Sequence, residues 1–118
     1  MIPIPWNSED YEEMRKILEE GKKALETRGW IKGKAVDYKT GEVCGLGALR
    51  SAHIRCKFSL KTHVYSIADT KALEMMSDDQ VVEQQRIGLR PTAYYNDYVA
   101  QDVGDMIVLF EKAIADLP

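Results

Sequence analysis

Cys44, His53, Cys56 and His63 are the only cysteines and histidines of this chain, and they fall within one short window. Two kinds of chemistry could use them. Cys44 lies between Val43 and Gly45, just ahead of an expected helix, and a helix N-terminus lowers a thiol's pKa toward the reactive thiolate. His53 or His63 would then serve as base, with Asn96 or Asp97 orienting it, which is the Cys-His-Asn logic of thiol hydrolases. None of these spacings matches a thiol-hydrolase signature, however, and free cysteine is among the most buried residue types. The simpler reading of Cys44 is a small residue packed beneath a turn, so no catalytic residue is assigned. The same four side chains could close a tetrahedral zinc shell. His53 and Cys56 are three apart and share a face if their segment is helical. Structural zinc sites pair their ligands closely at both ends, whereas Cys44 and His63 stand alone, so neither metal nor cofactor is expected.

A second group of residues suits contact instead of chemistry. Tyr94, Tyr95 and Tyr98 flank Asn96-Asp97 in a stretch, 92–100, that reads as a loop. Three tyrosines in one loop are hard to bury together, and tyrosine is favoured at interfaces because its ring is amphipathic. Asn96-Asp97 reads most simply as an Asx turn that sets the angle of the last helix. Tyr94, Tyr95, Asn96, Asp97 and Tyr98 together form the expected contact surface for a protein partner. Trp30 reads as core; Trp6, behind Pro3 and Pro5, either staples the first helix or faces a partner.

These residues must be held by a mainly helical frame. Ser8-Glu9-Asp10 reads as a helix start, and Tyr11, Met14, Ile17, Leu18, Gly21, Ala24 and Leu25 recur on one face up to Gly29. The stretch 31–44 reads as a small β-hairpin turning at Lys39-Thr40-Gly41-Glu42. A helix from Leu46 to near Lys57 follows, then a connection from Phe58 to Tyr65 and a short helix from Ser66 to Met76. Ser77-Asp78-Asp79-Gln80 is a capping-box pattern for another short helix, closed by Gly88 and Pro91. Val103, Met106, Ile107, Phe110, Ala113, Ile114 and Leu117 form the stripe of a final amphipathic helix. The expected architecture is mainly α, made α+β by the hairpin. Its two long terminal helices pack together, with two or three short helices between them.

At 118 residues, with 45% hydrophobic and 30% charged residues, the composition fits a single globular domain spanning 1–118. The net charge is −3, and acids and bases alternate, which gives no phosphate-tracking face and no expectation of nucleic-acid binding. No apolar run is long enough for a membrane span, and Met1 to Trp6 lacks the marks of a signal peptide, so a cytoplasmic protein with reduced cysteines is expected.

Gly29-Trp30, Val43-Cys44-Gly45-Leu46-Gly47-Ala48-Leu49 and Tyr95-Asn96-Asp97 together resemble an uncharacterised family of small proteins from actinobacteria and their phages. Its pattern is an amphipathic helix ending in Gly-Trp and then a Gly-containing turn. A Cys-x-Leu-Gly-Ala-Leu segment, an aromatic-Asn-Asp triplet and a last amphipathic helix follow. The pieces occur here in that order from about Met14 to Leu117, with Tyr95 where the family more often has Trp. The resemblance implies an actinobacterial or actinophage origin and carries over no catalytic residue. The expectation is a small phage-type protein that works by contact with a host or phage protein. A thiol enzyme using Cys44 and a zinc-supported binding module are the alternatives.

Overall fold

Asn7, not Ser8, caps the first helix of the computed structural model, which describes residues 6–52 and 58–118. The Asn7 side chain accepts the Asp10 N–H and the Asp10 carboxylate accepts the Asn7 N–H, a reciprocal capping box. From it runs α1 (Ser8–Arg28), burying Met14, Ile17, Leu18, Gly21 and Leu25 along the expected face. The last helix, α6 (Val103–Ala115), starts from an Asp102 cap and buries Met106, Leu109, Phe110 and Ala113. The two terminal helices pack closely: a Cβ added at Gly21 would stand 2.9 Å from the Phe110 ring.

Among the described residues there is no β-strand, which corrects the expected hairpin near 31–44 and with it the α+β reading. The turn itself forms as expected. Gly41 takes φ +83°, its N–H donates to the Asp37 carbonyl, and the Asp37 carboxylate accepts the Lys39 and Thr40 N–H groups. What fails is the ladder. Val43 makes single-residue bridges to Trp30 and to Val36, and the chain between them bends away at Lys32–Ala35, with Gly33 at φ +83°. Both sides of Val43 are therefore occupied, but neither partner runs alongside it long enough to form a strand.

Two further boundaries differ. The α3 helix is continuous over Phe58–Met75, so the expected connection at 58–65 is helical. Leu60, Val64, Ala68 and Ala72 recur every four residues and are all buried, a stripe that runs straight through the apparent cap at Ser66. The α2 helix spans only Gly45–Arg50. His53, Cys56 and Lys57, on which its longer expected course depended, lie outside the described residues. As read from the sequence, α4 (Asp78–Ile87) has its Ser77–Gln80 capping box and its Gly88 C-cap.

Between Pro91 and Ala100 the chain is helical, correcting the loop reading. A short α5 (Pro91–Tyr94) runs into a π-turn over Tyr95–Val99 closed by the Ala100 N–H on the Tyr95 carbonyl. Its start is anchored from α3: Asp69 accepts the Thr92 N–H and hydroxyl and the Arg90 Nε–H.

Close approach also sets α2 in place. A Cβ at Gly47 would stand 1.9 Å from the Ala35 carbonyl oxygen, whereas one at Gly41 would meet nothing within 4 Å. Gly47→Ala should therefore lower stability by about 3 kcal/mol or prevent folding. Gly41→Ala, strained only by its positive φ, should cost about 1 kcal/mol. Urea unfolding of the two variants beside the parent protein checks the contrast; equal costs would contradict the close approach at Gly47.

Candidate functional site

The three short motifs converge on one side chain. Asn96 is fully buried, and all four of its hydrogen-bonding positions are used. Its Oδ1 accepts the Trp30 indole N–H at 2.7 Å and the Gly45 N–H at 3.0 Å. Its Nδ2 donates to the Ile31 carbonyl at 3.1 Å and to Asp97 Oδ1 at 2.9 Å. Asp97 Oδ1 also accepts the Gly33 N–H at 3.0 Å. The π-turn makes this possible, because its widened i→i−5 turn aims two consecutive side chains, Asn96 and Asp97, at the same 30–33 segment. A single amide thus ties the end of α1, the first N–H of α2 and the final third of the chain together.

Cys44 stands at the edge of this cluster as the cap of α2. Its backbone N–H donates to Ala35 O, and its Sγ accepts the Gly47 N–H at 3.4 Å. Burial pushes the thiol above its ordinary value of 9.0, outweighing the lowering pull of the Gly47 and Leu46 N–H groups, while Asp97 raises it further. The arrangement holds a protonated thiol with its lone pair engaged, the opposite of an activated nucleophile.

The remaining sequence candidates are dispersed. His63 lies on α3, 5.4 Å from the Trp6 ring, and lines a hollow of about 320 Å³ with Tyr11, Thr70, Lys71 and Asp116. Lys71 there is bound by Asp116 and Glu74, and those bonds, Asp116 first, hold its pKa up. The described residues contain no cluster of three metal-ligating side chains. His53 and Cys56 lie outside them. Of the expected contact residues, Tyr94, Tyr95 and Asn96 are buried, Asp97 is half-buried, and Tyr98 is 61% exposed. Trp30 is half-buried and held by Asn96.

The sequence reading missed a cleft of about 380 Å³ between the ends of α1 and α2, lined by Arg28, Ala35, Val36, Tyr38, Arg50 and Ser51. A signal for it was present. From Arg28 to Arg50 five cations face only Asp37 and Glu42, although the chain as a whole carries −3.

Fold and site define a small helical protein whose polar cluster serves its architecture. The chain belongs to a family of unknown function, DUF6197, which it matches over residues 10–116. No curated protein and no solved structure matches it.

Replacing Asn96 by Ala strands the Trp30 and Gly45 donors and the Ile31 carbonyl, and should cost about 3 kcal/mol of stability. Calorimetric melting would show this; a loss under about 1 kcal/mol would contradict the clamp. Cys44 gives a pH test. Its folded pKa is raised, so its contribution is complete below 9.0 and is lost as pH rises through the higher folded value. The unfolding free energy of the parent protein should therefore fall more steeply above pH 9.0 than that of Cys44→Ala. Tyr95, also raised by burial, adds the same alkaline loss to both proteins.

Proposed function

We propose that this protein acts by contact with a protein partner and not by catalysis, with Tyr98 at the centre of the contacting surface. The observation that carries the proposal is the presentation of that ring. Tyr98 is 61% exposed yet stacks on the buried Tyr94 ring, centroids 5.0 Å apart, on a turn that Asn96 ties to the rest of the chain. An aromatic side chain held this way loses little conformational freedom on binding, which is why tyrosine recurs at interface hot spots.

The alternatives draw less support. A thiol enzyme needs a reactive Cys44, and its thiol is buried and engaged. No helix among the described residues is long and apolar enough to cross a membrane. The resemblance to actinobacterial and actinophage proteins supports a phage-encoded modulator that meets a host or phage protein in the host cytoplasm.

Affinity capture from an actinobacterial lysate tests the proposal. The tagged parent protein should retain a partner in stoichiometric amount, and Tyr98→Ala should weaken that capture by about 30-fold while Tyr38→Ala leaves it unchanged. Capture that survives Tyr98→Ala refutes the surface. Absence of any stoichiometric partner for the parent refutes the contact reading.

A further inference from the structure

We propose that the cleft between the ends of α1 and α2 binds a small phosphate monoester. The two guanidinium groups of Arg28 and Arg50 would hold the phosphate, with the organic part against Val36 and Tyr38. Both arginines line the cleft, and neither has a carboxylate partner among the described residues. Arg86 and Arg90, by contrast, are paired with Glu83 and Asp69. The Arg28 Nε–H is spent on the Gly41 carbonyl at 2.9 Å. That bond steadies the guanidinium plane against the 37–41 turn and leaves its terminal N–H groups without a partner among the described residues, the arrangement that suits a bidentate anion.

A plainer account is that each arginine answers the carbonyl end of its own helix, since each stands in a last turn. That attraction is weak at an exposed site and is met wherever in the last turn a cation points. It gives no reason for two cations to share one concavity without a counter-charge. The adjoining hollow carries a carboxylate, Glu20, beside Lys23 and the other side of Arg28, whereas no carboxylate among the described residues lines the Arg28–Arg50 cleft. The hollow beside His63 is likewise neutralised, its Lys71 already held by Asp116 and Glu74. The Arg28–Arg50 cleft combines two arginines that have no carboxylate partner among the described residues with an apolar wall and an aromatic rim, Tyr38 being 94% exposed. Ser51, also on the wall, supplies a hydroxyl of the kind that bonds phosphate oxygens.

The test is a titration of the ¹⁵N-labelled protein followed by amide shifts, with inorganic phosphate, phenyl phosphate and benzoate as probes. Phosphate should give saturable shifts confined to the amides of Arg28, Ala35, Val36, Arg50 and Ser51. Arg50→Gln should weaken binding about tenfold, and Arg86→Gln should leave it unchanged. Phenyl phosphate should bind several-fold more tightly than inorganic phosphate, and Tyr38→Ala should remove that advantage. Shifts that fail to saturate, scatter over the surface or persist in Arg50→Gln overturn the site. Benzoate binding as tightly as phenyl phosphate overturns the phosphate assignment. Tyr98→Ala should bind phosphate normally, so this inference and the protein-contact reading can fail separately.

Discussion

One buried amide organises this protein. Asn96 is withdrawn from water, and a polar group so placed costs several kcal/mol unless its partners are supplied. Two donors and two acceptors supply them, from the end of α1, the start of α2 and the adjacent Asp97. Because three of the four bonds come from two distant stretches, Trp30-Ile31 and Gly45, the amide can be satisfied only when both are in place. The π-turn, the bend at 32–35 and α2 each serve that requirement. The first aims the side chain, the second brings Ile31 and Gly33 to it, and the third offers its leading N–H.

The glycines and the cysteine beside this amide take their meaning from it. Gly45 sits where Asn96, Thr92 and Met106 meet, and a Cβ there would stand 2.5 Å from the Met106 methyl group. Gly47 admits the Ala35 carbonyl, to which Cys44 donates. Cys44 closes the N-terminus of α2 with a sulfur in the role usually taken by an oxygen. A motif that looks reactive in one dimension is a packing device in three. Its cysteine is a cap, its glycines are points of contact, and its asparagine is a tie.

With the motifs absorbed into the architecture, both proposed surfaces lie on elements that the clamp ties together. Tyr98 is carried on the far side of the same turn that buries Asn96, so its exposed ring shares the rigidity of the core. On the other flank, Arg28 precedes the Gly29-Trp30 pair and Arg50 ends the helix that Asn96 holds at its start. The clamp therefore fixes the two ends of the cation-bearing cleft relative to each other, which is the preorganisation a weak anion site needs.

Local pattern alone determined where α1, α4 and α6 lie, because caps and three-to-four-residue apolar spacing are local properties that tertiary contacts then reinforced. It also placed the Gly41 turn, since a left-handed position and an Asp side chain suffice for it. The stripe of α3 was legible too, in Leu60, Val64, Ala68 and Ala72, but Ser66-Ile67-Ala68-Asp69 imitates a cap; Asp69 instead serves α5 across space. The fate of 31–44 and of 92–100 depended on the tertiary structure. Whether alternating residues become a strand rests on a neighbour to pair with, and whether tyrosines are exposed rests on what packs over them. Neither quantity is local. Asn96 bonds Gly45 across 51 residues and Trp30 across 66, and no pattern short enough to read along the chain spans such separations.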